Sequence, residues 1–330
     1  MSTVGIIANP AAGKDIRRLV AHGRVVPNHE KVNVIRRVLL ALDAVQVERV
    51  LLMPDPSQLG RRALEDITLR VKPEVIPLMM YADEGDSTRA AAMMAEMGAG
   101  CIVTLGGDGT NRAVARGCDG VPLVPISTGT NNVFPTMVEG TTAGLAAGLV
   151  ATGQVDLDRV CPPHKRLEVY VDGVLEDIAL VDVAVSRERF IGSRAIWDVG
   201  TVDELFLTCA EPASIGLSSI GAQLHPLGRR EDGGLYLRIG PGGAIVLAAV
   251  APGTMQRVAV AEWRALKTGE RAAVHHLGGT IALDGERQFP TSPGSLVEVG
   301  VSAAGPRVVA VDEALREAAE RGIFVERDGA

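Results

Sequence analysis

The sequence predicts an α/β domain with a parallel sheet over residues 1–157, followed by a β-rich domain over residues 158–330. In the first half, short apolar runs alternate with stretches of helical periodicity, which is typical of a parallel sheet with helices on its faces. In the second half, short strands follow one another with Gly and Pro between them. The length of 330 residues also fits two domains.

The elements of the first half follow from the spacing of its apolar residues. Asn9-Pro10 ends the first apolar run, and Asp86 offers an N-cap for a helix that Gly98 ends. The predicted strands cover residues 4–8, 50–53, 101–105 and 123–126, and the predicted helices cover residues 32–42, 86–97, 111–116 and 141–150.

The second half is predicted to form a sandwich or paired sheets. Alternating residues on both sides of Asp172-Gly173 predict a β-hairpin. A last helix begins at Asp312 and ends before Gly322, and its return to the first domain stays open. The predicted strands cover residues 166–171, 174 onward, 180–186, 234–239, 244–251, 257–261, 280–284 and 295–301.

Composition excludes several classes of protein. The formal net charge is −7 and basic residues form no long run, which argues against a nucleic-acid partner. The four cysteines are too far apart for a zinc motif. No apolar stretch has membrane-spanning length, and the chain runs straight into its first strand without a signal peptide. We therefore expect a cytoplasmic protein with no membrane partner, whose assembly into a homo-oligomer stays open.

The strongest chemical signal is the turn Gly106-Gly107-Asp108-Gly109-Thr110, which follows a buried strand. Open α/β sheets bind ligands at the carboxyl ends of their strands, and a helix N-terminus after the turn would favour phosphate. Asp108 is unusual there because phosphates repel a carboxylate. It fits a base that takes a proton from an attacking hydroxyl, or a ligand shared with Mg²⁺. A tight turn in which Asp108 only caps the helix is the alternative.

Two further polar turns follow strand ends. One runs from Ser127 to Asn132, and the other from Asn9 to Lys14. Three such turns would meet at one edge of the sheet, which predicts a shared site. Lys14 would neutralise a phosphate or lie in solvent, but a Walker A loop is rejected because Ala8 and Asp15 break its pattern.

These three turns resemble the superfamily of ATP-NAD kinases and diacylglycerol-type lipid kinases. Gly85-Asp86-Ser87-Thr88, the Ser-Thr-Gly-Thr-Asn-Asn turn that begins at Ser127 and the stretch from Glu211 to Gly216 resemble its acetoin catabolism protein X branch most. The resemblance covers essentially the whole chain.

The resemblance implies roles for particular residues. Asp108 matches the catalytic aspartate, and Asp182 and Asp284 are implied to bind the phosphoryl acceptor. Val181 stands where NAD kinases carry an Asn that holds ribose, so asparagine at this position is expected to strengthen NAD binding. The residues assigned to nucleotide and phosphate are Asn9, Gly13, Lys14, Gly106, Gly107, Gly109, Thr110, Asn111, Thr128, Gly129, Thr130, Asn131 and Asn132.

The implied activity is phosphoryl transfer from ATP or polyphosphate to a hydroxyl group. Mg²⁺ would arrive with ATP, with no dedicated protein metal site and no tightly bound organic cofactor. On family grounds the acceptor is NAD, which would give NADP. Two alternatives stay open: a kinase for another alcohol such as a lipid or small polyol, and a nucleotide-binding regulatory protein without turnover, linked to acetoin catabolism.

Overall fold

The computed structural model describes residues 1–13, 21–189, 196 and 198–325. The first half forms a five-stranded sheet in which all neighbouring strands are parallel, with the order β3-β2-β1-β4-β5. Its strands are β1 (Thr3–Ala8), β2 (Arg49–Leu52), β3 (Lys72–Val75), β4 (Cys101–Gly106) and β5 (Leu123–Ser127). Its helices are α1 (Asn28–Ala44), α2 (Leu59–Ala63), α3 (Gly85–Glu96), α4 (Asp108–Ala115), α5 (Gly140–Ala151) and α6 (Leu157–Val160).

The central strands β1 and β4 are buried along their whole length, because helices cover both faces of the sheet. One apolar core lies between the sheet and the helices α1 and α5, and a second lies between the sheet and α3. Because β1 and β4 are packed on both faces, the turns that follow them at the carboxyl edge of the sheet are held in place.

The second half folds into two antiparallel sheets with the orders β11-β10-β9-β8-β13-β14 and β12-β15-β6-β7. Apolar side chains of the two sheets pack face to face as a sandwich, and the short helix α7 (Ser218–Ala222) covers part of the other face of the larger sheet. The strands are β6 (Arg166–Val171), β7 (Val174–Ala179), β8 (Asp182–Ser186), β9 (Val202–Leu207), β10 (Gly234–Ala251), β11 (Thr254–Leu266), β12 (Arg271–Ala273), β13 (Thr280–Leu283), β14 (Glu286–Pro290) and β15 (Val297–Ser302).

The end of the chain packs on the first half. Residues 307–309 run beside the start of β5, where the Leu123 N–H donates to Arg307 O at 2.9 Å and the Val309 N–H donates to Leu123 O at 2.9 Å. The helix α8 (Val311–Glu320) then buries Ala314 and Ala318 in the core beneath α5.

The predicted fold class is confirmed: a parallel α/β sheet precedes an antiparallel β region. Residues 234–251 form one long strand with irregular pairing near Ile239 rather than two strands. The strand β3 was missed because it is a polar edge strand with the sequence Lys-Pro-Glu-Val. Helix α4 begins at Asp108 rather than at residue 111, so the key carboxylate lies in its first turn.

Among the described residues, no helix is both long enough and apolar enough to cross a bilayer.

Candidate functional site

Three turns meet at the carboxyl edge of the parallel sheet: the Asn9 turn (residues 9–13), the Asp108 turn (residues 106–110) and the Asn132 turn (residues 128–132). Asn9 Nδ2 donates to Thr110 Oγ1 at 2.9 Å, which joins the first turn to the second. A Cβ atom on Gly107 would lie 2.9 Å from the Asn132 side-chain amide, and one on Gly13 would lie 2.9 Å from Thr128 O. The turns are thus in direct contact, and glycine permits this closeness.

The Asn9 turn is held from below by Lys31, which lies on α1. The Lys31 ammonium is fully buried and donates to Asn9 O at 2.9 Å and to Ala12 O at 3.0 Å. Asn9 Oδ1 in turn accepts from the Ala11 N–H at 2.8 Å. Sequence reasoning missed Lys31, although a lysine at a buried helical position was a detectable signal.

The Asp108 turn is fixed by Asn111, whose side chain is fully buried. Its Oδ1 accepts from the Thr104 hydroxyl at 2.6 Å, and its Nδ2 donates to Gly107 O at 2.8 Å. Asn111 therefore lies beneath the turn rather than in a cavity. A direct contact of its amide with a ligand, as the sequence suggested, would require these bonds to break.

The Asn132 turn is cross-linked by its own amide. Asn132 satisfies both amide atoms when Oδ1 accepts from the Gly129 N–H at 3.0 Å and Nδ2 donates to Asn131 O at 3.3 Å. Thr128 Oγ1, Thr130 Oγ1 and Asn131 Oδ1 are buried and have no hydrogen-bond partner among the described parts of the chain. Buried polar atoms normally have partners, so a ligand would complete this turn.

Asp108 is held in one orientation by the backbone that follows the Asn132 turn. Its Oδ1 accepts from the Phe134 N–H at 2.8 Å and from the Val133 N–H at 3.1 Å. The residue is 8% exposed. Because α4 starts here, the carboxylate lies beside a helix N-terminus that also favours anions.

Two cavities meet at Asp108. The large cavity, about 770 Å³, is lined by all three turns and by residues 80–87 on the opposite side. The small cavity, about 310 Å³, extends into the β domain. Asp108, Asn131 and Asp284 line both. A ligand bound in the large cavity would therefore face a ligand bound in the small cavity across Asp108.

Asp284 lies at this junction and Asp182 lines the small cavity, and the carboxylates of both accept hydrogen bonds from backbone N–H groups. Asp284 Oδ1 accepts from the N–H groups of Leu180 at 3.0 Å and Val181 at 2.8 Å. Asp182 Oδ1 accepts from the Gly285 N–H at 3.1 Å. Burial raises the pKa of the Asp284 carboxyl to about 6, although Arg112 and the N–H groups favour its charged form.

Arg112 on α4 links the two domains and was not singled out from the sequence. Its guanidinium is fully buried and pairs with Glu84 Oε1 at 2.6 Å and Asp177 Oδ2 at 2.9 Å. Its Nε lies 3.8 Å from Asp284 Oδ2. An arginine two positions after the glycine-rich turn was visible, but only the fold shows that it faces the β domain.

Val181 does not face either cavity, which corrects the expectation for this position. Its side chain is 1% exposed and packs in an apolar cluster with Val133, Phe134, Leu180 and Cys209. An asparagine here would place its amide in that cluster rather than beside a ribose.

No group of three or more His, Cys, Asp or Glu side chains among the described residues is arranged to hold a metal ion. Lys14, predicted to contact phosphate, lies outside the described residues.

Comparisons with known proteins cover both halves of the chain. Residues 4–155 match the ATP-NAD kinase N-terminal domain, and residues 165–304 match the acetoin catabolism protein X C-terminal domain. The chain is 41% identical over 329 residues to acetoin catabolism protein X of Cupriavidus necator, covering 96% of this chain and 92% of that protein.

Solved structures show a related fold. Yeast NADH kinase complexed with NADH aligns over 100% of this chain and 90% of its own, with 14% identity and a TM-score of 0.56. A putative diacylglycerol kinase from Bacillus anthracis aligns over 93% of this chain and 97% of its own, with 13% identity and a TM-score of 0.46. The first of these supports the NAD kinase-like fold.

Proposed function

This chain belongs to the acetoin catabolism protein X family, and from that premise we propose that it is a kinase-type phosphotransferase that transfers a phosphoryl group from ATP to a hydroxyl group. One observation carries the proposal: Asp108 lies where a large cavity rimmed by three turns meets a second cavity. The large cavity would take the phosphoryl donor, and the small cavity would take the acceptor.

The large cavity suits a nucleoside triphosphate. The Asp108 turn continues into the first turn of α4, so the free N–H groups of this helix N-terminus lie at the large cavity. Helix N-termini bind phosphate through such N–H groups. Thr130 lines this cavity, and its hydroxyl, which has no partner among the described residues, is a donor that a phosphate oxygen would satisfy. Its volume of about 770 Å³ lies within the range of sites for nucleotide-sized ligands.

The transfer step places Asp108 as the base. The acceptor oxygen attacks the γ-phosphorus of ATP and forms a new O–P bond. The bond from that phosphorus to the bridging oxygen breaks, and its electron pair stays on ADP. The hydroxyl proton passes to the Asp108 carboxylate and then to solvent.

Mg²⁺ is proposed to arrive with the nucleotide. Mg²⁺ in kinases is usually held by substrate phosphates with one or two carboxylates, so a three-carboxylate cluster is not required. Asp108 and Glu286 are carboxylates that line the large cavity and could contribute. When bound, the ion would offset the charge of the phosphates.

The acceptor is proposed to be NAD or a smaller alcohol. NAD is suggested by the ATP-NAD kinase domain match, and smaller alcohols are tested beside it. A second candidate function, nucleotide binding without turnover, is favoured by one observation. The Asp108 carboxylate already accepts from two backbone N–H groups, as a purely structural aspartate would.

Binding and turnover are tested separately. Calorimetric titration with the non-hydrolysable analogue AMP-PNP, with and without Mg²⁺, measures the donor site, and polyphosphate is titrated as the alternative donor. Transfer is then followed by ³¹P NMR with ATP, Mg²⁺ and either NAD or a panel of alcohols. AMP-PNP binding with no transfer to any acceptor would support the non-catalytic candidate, and no nucleotide binding at all would reject both.

A further inference from the structure

Resting on the proposed function, we propose that the small cavity takes a small uncharged acceptor that combines hydroxyl groups with an apolar part, rather than a dinucleotide or a diacyl lipid. The cavity measures about 310 Å³, at the lower end of the range for small-molecule sites. A dinucleotide or a pair of acyl chains would have to lie largely outside it.

One side of the small cavity is acidic. Asp108, Asp182 and Asp198 line it, and their carboxylates accept hydrogen bonds and cannot donate them. A ligand that matches this side must bring donors, and a neutral hydroxyl does so without the repulsion that a phosphate or carboxylate would meet. The acceptor class is therefore an alcohol without an anionic group.

An independent observation also points to a donor on the ligand. Asn131 Oδ1, at the junction of the two cavities, is buried and has no hydrogen-bond partner among the residues described. The Asn131 amide lies against Gly216, where an added Cβ would be 3.1 Å from Nδ2. A hydroxyl bound at this point would satisfy the Asn131 oxygen and lie on the same wall as Asp108.

Other residues of the cavity lining are apolar. Val199, Leu217 and Val250 are each at most 9% exposed, and Ile215 lines the cavity with them. These walls would stabilise a short hydrocarbon part by excluding it from water. A lining that combines carboxylates with apolar side chains selects a small amphipathic diol or polyol over a fully polar sugar.

The cavity can be narrowed from its outer wall without changing the donor site. Gln256 lies on β11, is half-buried and lines the small cavity, so Gln256→Trp would fill part of it. The neighbouring Arg257 is exposed and does not line it, so Arg257→Trp is the matched control. Thr254→Phe, at the start of the same strand, is a second narrowing variant.

Binding is measured by saturation-transfer NMR in the presence of AMP-PNP and Mg²⁺, with three probes: 2,3-butanediol, glycerol 3-phosphate and NAD. We expect wild type and Arg257→Trp to bind the diol in preference to glycerol 3-phosphate. Gln256→Trp and Thr254→Phe should abolish the diol signal and leave the Kd of AMP-PNP unchanged. Asp198→Asn should shrink the preference for the neutral probe by about fivefold, the effect of one unit charge at about 4 Å in a water-like dielectric.

The proposal is overturned if AMP-PNP binds but the diol does not, or if the narrowing variants weaken NAD instead of the diol. Failure of the proposed function looks different, because AMP-PNP would then not bind to wild type. In that case, a diol signal that is lost in Gln256→Trp and kept in Arg257→Trp still supports the proposed ligand class. The absence of a diol signal in wild type overturns that ligand class.

Discussion

Asp182 and Asp284 each hold the backbone of the other's segment. The Asp284 carboxylate accepts from the N–H groups of residues 180–182, at 2.8 Å for Val181, while Asp182 accepts from Gly285 with its carboxylate and from Asp284 with its carbonyl oxygen. This reciprocal pair ties β8 to the two-residue turn between β13 and β14. The two aspartates that were predicted to bind the acceptor therefore shape the backbone of the small cavity in which an acceptor would lie.

The raised pKa of Asp284 predicts a pH-dependent stability. The folded protein holds this proton up to about pH 6, whereas an unfolded Asp releases it near 3.8. The contribution of Asp284 is therefore fully present below about pH 4, falls as the pH rises to about 6, and is constant above that. Because one pH unit corresponds to about 1.4 kcal/mol, the change amounts to about 3 kcal/mol.

Asp284→Asn isolates this effect, since an amide oxygen can still accept from Leu180 and Val181. Urea unfolding is measured between pH 4 and pH 8 for both proteins. The stability of wild type relative to Asp284→Asn should decrease with pH up to about 6 and then stay level. A difference that does not vary with pH would show that Asp284 keeps an ordinary pKa in the folded protein.

Arg112→Met is predicted to be strongly destabilising. The change removes a fully buried cation and leaves Glu84 and Asp284 without it, which typically costs about 3–5 kcal/mol. Arg116→Met is the matched control, because Arg116 caps the C-terminus of the same helix and pairs with the same Asp177, but its side chain is 44% exposed. That control should cost about 0–1 kcal/mol. Equal losses of unfolding free energy for the two variants in chemical denaturation would show that the buried ion pairs of Arg112 add nothing to stability.

The sequence predicted the sheet and the three turns because these depend on local patterns. Apolar runs give the strands, and the glycines of the Asp108 turn give the close approach that the structure shows at Gly107. The roles of Lys31, Arg112 and Val181 depend instead on which element lies opposite each side chain. That information is set by packing between segments far apart in the chain, so the family resemblance placed Val181 at a ribose site although its side chain packs in an apolar cluster.

Asp108→Asn is predicted to abolish phosphoryl transfer while nucleotide binding and the fold remain. The asparagine Oδ1 can still accept from the Val133 and Phe134 N–H groups, but it cannot act as a base. Removing a general base typically costs about 10² to 10⁴ in rate. Transfer is measured with the acceptor that the ³¹P NMR screen identifies, and AMP-PNP titration serves as the control. Transfer at the wild-type rate would mean that Asp108 only holds the backbone.

Gly107→Ala should weaken AMP-PNP binding more than Gly109→Ala. A Cβ atom at position 107 would lie 2.9 Å from the Asn132 side-chain amide and displace the Asn132 turn, whereas at position 109 nothing lies closer than 3.6 Å. The loss at 107 should be about 10- to 150-fold, since one hydrogen bond to a charged group contributes about 1.5–3 kcal/mol. Calorimetry gives both affinities. Equal affinities for the two variants would place the nucleotide phosphates away from these turns.

Val181→Asn tests the position at which the resemblance to NAD kinases implied a ribose-binding asparagine. Since Val181 packs with Phe134 and Cys209 and is 1% exposed, the new amide would be buried among apolar side chains that offer it no hydrogen-bond partner. Such a burial costs about 1–3 kcal/mol, and NAD binding should not improve, because the side chain points away from both cavities. Urea unfolding and NAD titration are run beside Val181→Ala, which removes volume without adding a polar group. Tighter NAD binding with unchanged stability would show that position 181 does reach the acceptor.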